Sequence, residues 1–174
     1  MQTGCWYWLF ALTLGLLSGL FAPPCPTSSS VPMFVEAFGW RGHELTGAVA
    51  QYLLTAEALA ETQKLLHGKS LSKVAAWADR IKRLPQYQWT RSLHYIDPHD
   101  NPPYYCEYIP KRDTPKSGSV GTAILNMTSI LQQWYLAPHT VDPTLAEEAL
   151  KFLIHFIGDV HQPMHGKLFV TSFE

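Results

Sequence analysis

The chain has 174 residues, the length of one ordinary domain. Its 13 Lys+Arg and 14 Asp+Glu all lie from Glu36 onward, so a charged part follows a first stretch of 35 residues with no charge at all. From Phe38 on, 13 Lys+Arg stand against 13 Asp+Glu, a neutrality that excludes affinity for nucleic acid from a clustered excess of Lys and Arg; metal cations can take that place.

Taken in order, Trp6 to Ala22 is an apolar run of 17 residues, followed by the polar, Pro/Ser-rich stretch PPCPTSSSVP, which cannot continue a helix. It reads as a secretory leader, with a retained membrane anchor as the alternative, since such a run sits at the lower limit for spanning a bilayer. Cleavage after Ala37 is favoured, because Val35-Glu36-Ala37 offers small residues at the right spacing; the end of the apolar run at Ala22 is the second choice. The domain is then residues 38–174. Cys5 and Cys25 fall in the leader or its tail, so the mature part keeps Cys106 alone, which means an intermolecular bond, a free thiol or a missing partner. Given export, Asn126-Met127-Thr128 is a glycosylation site at Asn126.

From Gly39 on, the patterning is helical. The stretch His43 to Leu54 puts Leu45, Val49, Tyr52 and Leu53 at helical spacing, and Thr55 caps a second segment, Ala56 to Leu66, stopped by Gly68. Ser72 is expected to cap a third, Lys73 to Lys82, ending before Pro85. Tyr87 to Asp97 is aromatic and irregular and is expected to be extended. Pro98 to Val120 reads as a long surface loop, of the kind that serves a site or a partner. Gly121 to Trp134 is helical, and Asp142-Pro143 opens a helix that runs to about His161. With no period-2 pattern of any length, the fold class is all-α.

The last helix carries the chemistry. His155 and Asp159 are one turn apart on one face, among neighbours that are almost all apolar. A buried carboxylate must be paired, hydrogen-bonded or metal-bound. A core His–Asp hydrogen bond is the plain reading of that pair alone. His43 at a helix start, Asp79 on the third helix, His94, and His161 and His165 just past the last helix change the balance, because mixed imidazole and carboxylate donors are what zinc accepts.

Trp77-Ala78-Asp79, then Leu93-His94-Tyr95-Ile96-Asp97, then the run LIHFIGDVHQPMH from Leu153 to His165 closely resemble the trinuclear-zinc, single-strand-specific nuclease and 3′-nucleotidase family of fungi, plants and protists. The resemblance covers about Phe38 to His165. It implies an all-α fold related to zinc-dependent bacterial phospholipase C. It assigns Asp79, His94, His155 and Asp159 to one zinc, and His43 with a bridging Asp159 to a second. That second ion is completed by the amine and carbonyl of the mature N-terminal residue, here Phe38, if cleavage follows Ala37. His165 belongs to a third.

The chain departs from the family in two ways. Lys82, flanked by Arg80 and Arg83, stands where the family has an Arg thought to stabilise the transition state, and Lys offers charge without a bidentate fork. Family members also continue well past the motif containing His165, supplying further ligands to the third zinc and the usual disulfide partner of Cys106. The expectation is a truncated isoform or incomplete gene product of reduced activity, with Phe152, Phe156 and Ile157 facing a core whose other side is missing.

The implied function is zinc-dependent hydrolysis of phosphodiesters in single-stranded DNA and RNA and of 3′-nucleotides, by a secreted protein with no stable protein partner. Asp79 would orient the attacking water, and Tyr87, Trp89, Tyr104 or Tyr105 would stack bases. Two other classes stay open. A secreted or membrane-tethered binding protein would bind single strands without turnover, and a phospholipase-like enzyme would use the same metals on a lipid phosphodiester.

Overall fold

Several helices begin where the sequence supplies a cap. The Thr55 hydroxyl accepts from the Ala58 N–H at 3.2 Å and starts α2 (Ala56–Leu65). Asp142 accepts from the Thr144 and Leu145 N–H groups at 2.8 and 3.1 Å and starts α7 (Pro143–Val160), with Pro143 in the first turn. Beyond α2, Gly68 takes φ +77°, the left-handed conformation that closes a helix, and its N–H returns to the Gln63 carbonyl at 2.8 Å. Together with α1 (Trp40–Leu53) and α6 (Val120–Leu136), these form the frame. This computed structural model describes residues 38–99, 104, 107–162 and 165. The leader and Cys106 lie outside the described residues, among which every regular element is helical.

Two segments differ from the sequence-based expectation. The third helix is two: Ser70, not Ser72, caps α3 (Leu71–Val74), accepting from the Lys73 N–H at 3.3 Å, and α4 (Trp77–Ile81) follows after an interruption at Ala75-Ala76. The stretch expected to be extended is instead a 3₁₀ helix, Pro85–His94. Three residues per turn put Tyr87, Thr90 and Leu93 on one face; Thr90 and Leu93 are buried, Tyr87 packs against the core, and the Thr90 hydroxyl donates to the Tyr87 carbonyl at 2.8 Å. Burial of that face overrides the strand preference of aromatic residues.

The expected loop over 98–120 contains a short helix, α5 (Pro110–Asp113), and a buried knot. The Asp113 carboxylate, 3% exposed, accepts from the Ile109 N–H at 2.7 Å, the His99 N–H at 3.2 Å and the Arg112 Nε at 2.6 Å. One carboxylate thus ties His99 to Ile109 and Arg112.

Helix α7 is the centre of the packing. One side presents Ala149, Phe152 and Phe156 to Ala78, Ile81, Leu93, Val120, Ala123 and Met127; another gives Leu150 and Ile154 to Leu66, Leu71, Val74 and Ala75. Phe152 stacks on Phe156 with centroids 5.4 Å apart, and Trp77 meets Phe152 edge-on at 5.0 Å. Phe152 and Phe156 are 2% and 0% exposed, contrary to the expectation of an open core, and each such burial contributes roughly 1.5–3 kcal/mol. Ile157 does face outward, at 38%. Helix α1 reverses expectation more fully. Its apolar set Leu45, Val49, Tyr52 and Leu53 is exposed, while His43 and Gly47 turn inward.

Candidate metal centre

Five side chains from four parts of the chain meet at one buried point. His43 comes from the first turns of α1, Asp79 from α4, His94 from the end of the 3₁₀ segment, and His155 and Asp159 from α7. His155 Nε2 lies 3.1 Å from Asp159 Oδ2, 3.5 Å from Asp79 Oδ1 and 3.1 Å from His94 Nδ1. His94 Nδ1 lies 2.9 Å from Asp159 Oδ2, and His43 Nε2 lies 3.4 Å from Asp159 Oδ1 and 3.7 Å from Asp79 Oδ2. The His43 and His155 rings stack with centroids 3.7 Å apart. Asp159 is fully buried, whereas the Asp79 side chain is 31% exposed, so the centre opens to solvent on the Asp79 side.

Local structure fixes these groups. The interruption between α3 and α4 leaves the Ala75 carbonyl to accept from His155 Nδ1 at 2.7 Å, which aims Nε2 at the two carboxylates. Gly158 lets α1 come close. A Cβ there would lie 2.9 Å from His43 Nδ1 and 3.0 Å from Thr46 Oγ1. Gly47 does the same on the opposite side, where a Cβ would meet the Leu71 carbonyl oxygen at 2.9 Å.

Electrostatics separate the groups by protonation. Burial pushes the Asp159 carboxyl up, but hydrogen bonds with His155, His165 and His94 outweigh it and hold the group well below the usual carboxylate range. Asp79 behaves alike, burial being overcome by His155 and by Lys82, whose Nζ donates to Asp79 Oδ1 at 2.6 Å. Burial, reinforced by His155, lowers His43 to about 4. Burial likewise lowers His94, against the pull of Asp159. For His155 burial acts downward too, yet Asp159 and Asp79 together raise it to about 9. At neutral pH two ionised carboxylates therefore face the neutral rings of His43 and His94.

Donor chemistry and orphaned atoms fit a cation. The buried His43 Nδ1 and Nε2 and His94 Nε2 have no hydrogen bond among the described residues, a costly state for polar atoms unless another ligand takes them up. The sets His43/His155/Asp159 and Asp79/His94/His155 each bring three ligand atoms within 4.8 Å of one another, and His155 is common to both.

The other sequence-based candidates are placed as follows. Lys82 sits beside Asp79, as described. The Phe38 ring stands edge-on to His43, centroids 6.2 Å apart. His165 Nδ1 lies 3.0 Å from Asp159 Oδ1 and 2.8 Å from the His94 carbonyl; no further group of ligand side chains gathers around it among the described residues. His161 is exposed, its Nδ1 2.6 Å from the Ile157 carbonyl one turn back. Asn126 is exposed on α6. Of the four aromatic residues considered for stacking, Tyr87 packs in the core and bonds to Glu148 through its hydroxyl, Trp89 and Tyr104 are exposed, and Tyr105 lies outside the described residues.

Residues 38–170 match the family model for S1/P1 nuclease. The chain belongs to this family. Nuclease P1 of Penicillium citrinum is 36% identical over 138 residues, 78% of this chain and 49% of that protein. Nuclease S1 of Aspergillus oryzae is 36% identical over 135 residues, covering 75% and 45%. Endonuclease 3 of Arabidopsis thaliana is 37% identical over 131 residues, covering 74% and 44%. The chain thus spans less than half the length of these relatives. S1/P1 nucleases are zinc enzymes, and the buried His and Asp groups of this member form sets that can hold metal. Sequence reasoning missed Gly158, Gly47 and the Ala75 carbonyl as parts of the S1/P1-type centre. Gly158 and Gly47 each left a trace, since a glycine inside a helix costs about 1 kcal/mol relative to Ala and needs a packing reason.

Proposed function

We propose that this S1/P1 family member is a secreted, zinc-dependent phosphodiester hydrolase acting on single-stranded DNA and RNA and on 3′-nucleotides. The observation that carries the reading is the convergence of His43, Asp79, His94, His155 and Asp159, with buried imidazole atoms left without hydrogen bonds at its middle. Asp79, His94, His155 and Asp159 would hold one zinc; His43, Asp159 and the main chain of Phe38 a second; His165 contributes to a third. Zinc in such sites supplies Lewis acidity and lowers the pKa of water towards neutrality. Asp159, held ionised, provides the charge that two cations share. Asp79, the most solvent-accessible carboxylate of the centre, orients the attacking water for in-line approach to phosphorus, and Lys82 offers a cation to the phosphoryl oxygens from beside it. Export rests on the apolar leader and the sequon at Asn126; among the described residues no helix is long and apolar enough to cross a membrane.

The test is metal content per chain by elemental analysis, on the parent and on Asp159→Asn. Loss of the shared charge should release more than one zinc per chain together with hydrolysis of single-stranded DNA. A variant that kept its full metal complement would make the His155–Asp159 pair a plain core hydrogen bond.

A further inference from the structure

Beside Asp79 lies a groove of about 560 Å³ that the centre does not use. It is lined by Trp40 and Glu44 of α1 and by Lys73, Ala76, Asp79, Arg80 and Arg83. Lys73, Ala76, Arg80 and Arg83 follow one another at intervals of three, four and three, so the α3–α4 segment lays its cations along one side despite its interruption. Lys73, Arg80 and Arg83 are exposed, and none of them has a carboxylate within 4.0 Å among the described residues. Asp79 is already engaged by Lys82, which leaves Glu44 as the one acid among the lining residues set against three cations. Trp40 is 58% exposed, and the Arg41 guanidinium lies 5.0 Å from the centre of its ring.

Resting on the nuclease reading above, we propose that this groove is the track along which a single-stranded nucleic acid reaches the carboxylate centre. Lys73, Arg80 and Arg83 take successive backbone phosphates, and Trp40 stacks one unpaired base. The composition selects for this ligand. Unpaired cations along a groove answer a chain of phosphates. An exposed indole backed by a guanidinium answers a base face, which duplex DNA keeps covered by its neighbours. Asp79, a residue of the centre, also lines the groove, which makes the track continuous with the reaction site.

The experiment uses the zinc-loaded full chain and a 5′-labelled dT10 with phosphorothioate linkages, which keep the charge and slow cleavage, read by fluorescence anisotropy at several salt concentrations. Lys73→Gln/Arg80→Gln/Arg83→Gln should flatten the slope of log K against log salt by about 2, at roughly 0.7 per lost phosphate contact on a single strand. Trp40→Ala should weaken binding about tenfold. A charge-matched control, Lys69→Gln/Lys111→Gln/Lys116→Gln, should change the slope far less. An unaltered slope in the groove variant, or equal losses in groove and control variants, would overturn the track. So would inorganic phosphate displacing dT10 better than chloride of equal ionic strength, since that marks an isolated anion pocket. A Trp40→Ala protein that binds as the parent does, or a parent that binds duplex as tightly as dT10, would overturn the stacking and with it the single-strand preference. Failure of the nuclease reading looks different: a parent chain that holds no zinc and cleaves nothing, whatever its binding slope.

Discussion

Replacing Gly158 by Ala sets two effects of opposite sign against each other. On an isolated helix the change stabilises by about 1 kcal/mol, because Ala orders the backbone at less entropic cost. Here the new methyl would sit 2.9 Å from His43 Nδ1 and 3.0 Å from Thr46 Oγ1, and these neighbours cannot swing aside. The His43 side chain is 1% exposed and stacked on His155, so α1 itself has to retreat by several tenths of an ångström. Overpacking of this kind costs typically 1–3 kcal/mol, which leaves a net destabilisation of about 1 kcal/mol after the propensity gain. The functional loss should exceed the stability loss, because displacement of α1 pulls His43 from Asp159 while the other four residues stay in place. Urea unfolding of Gly158→Ala should show a modestly lowered midpoint at unchanged slope, with elemental analysis losing the zinc assigned to His43 and retaining the one assigned to Asp79, His94 and His155. A variant more stable than the parent with full metal content would refute the close approach of α1 and α7.

Two further outcomes are open to direct measurement. N-terminal sequencing of secreted protein should begin at Phe38, five residues before His43; a start at Pro23 would remove the free amine from the proposed second zinc. Asp113 is held far below the usual carboxylate range by Arg112 first, against burial, with help from the Ile109 and His99 N–H groups, so its contribution is present above the unfolded value of about 4 and fades as pH falls towards the folded one. The gap in urea midpoint between the parent and Asp113→Asn should therefore narrow from pH 6 to pH 3, and an equal gap at both would contradict that sign.

Local chemistry made much of the fold legible. Thr55 and Asp142 cap the helices expected of them, because a side-chain oxygen beside free N–H groups acts within a few residues. His155 and Asp159 were legible for a similar reason, being polar residues one turn apart in an apolar helix. What escaped depends on partners distant in sequence. Nothing in Ala75-Ala76 signals an interruption, since both are strong helix formers; it is compensated by a hydrogen bond to a residue 80 positions away. The aromatic stretch from Tyr87 suggested an extended chain until the core took one face of a tighter helix. The apolar set on α1 gave the right periodicity and the wrong side, because periodicity fixes a stripe and not the direction in which it points.

The separation of the ligands along the chain also has a consequence for the order of folding. The bond from His155 to Ala75 spans 80 residues and the contact from His94 to Asp159 spans 65. Contacts so far apart have to overcome the entropy of closing their loops before any packing rewards them, and such pairings form slowly. A growing chain that has not yet reached α7 carries His43, Asp79 and His94 with neither the Asp159 carboxylate nor the His155 imidazole that meets them. The group of five side chains is therefore completed only once the last described helix has been synthesised.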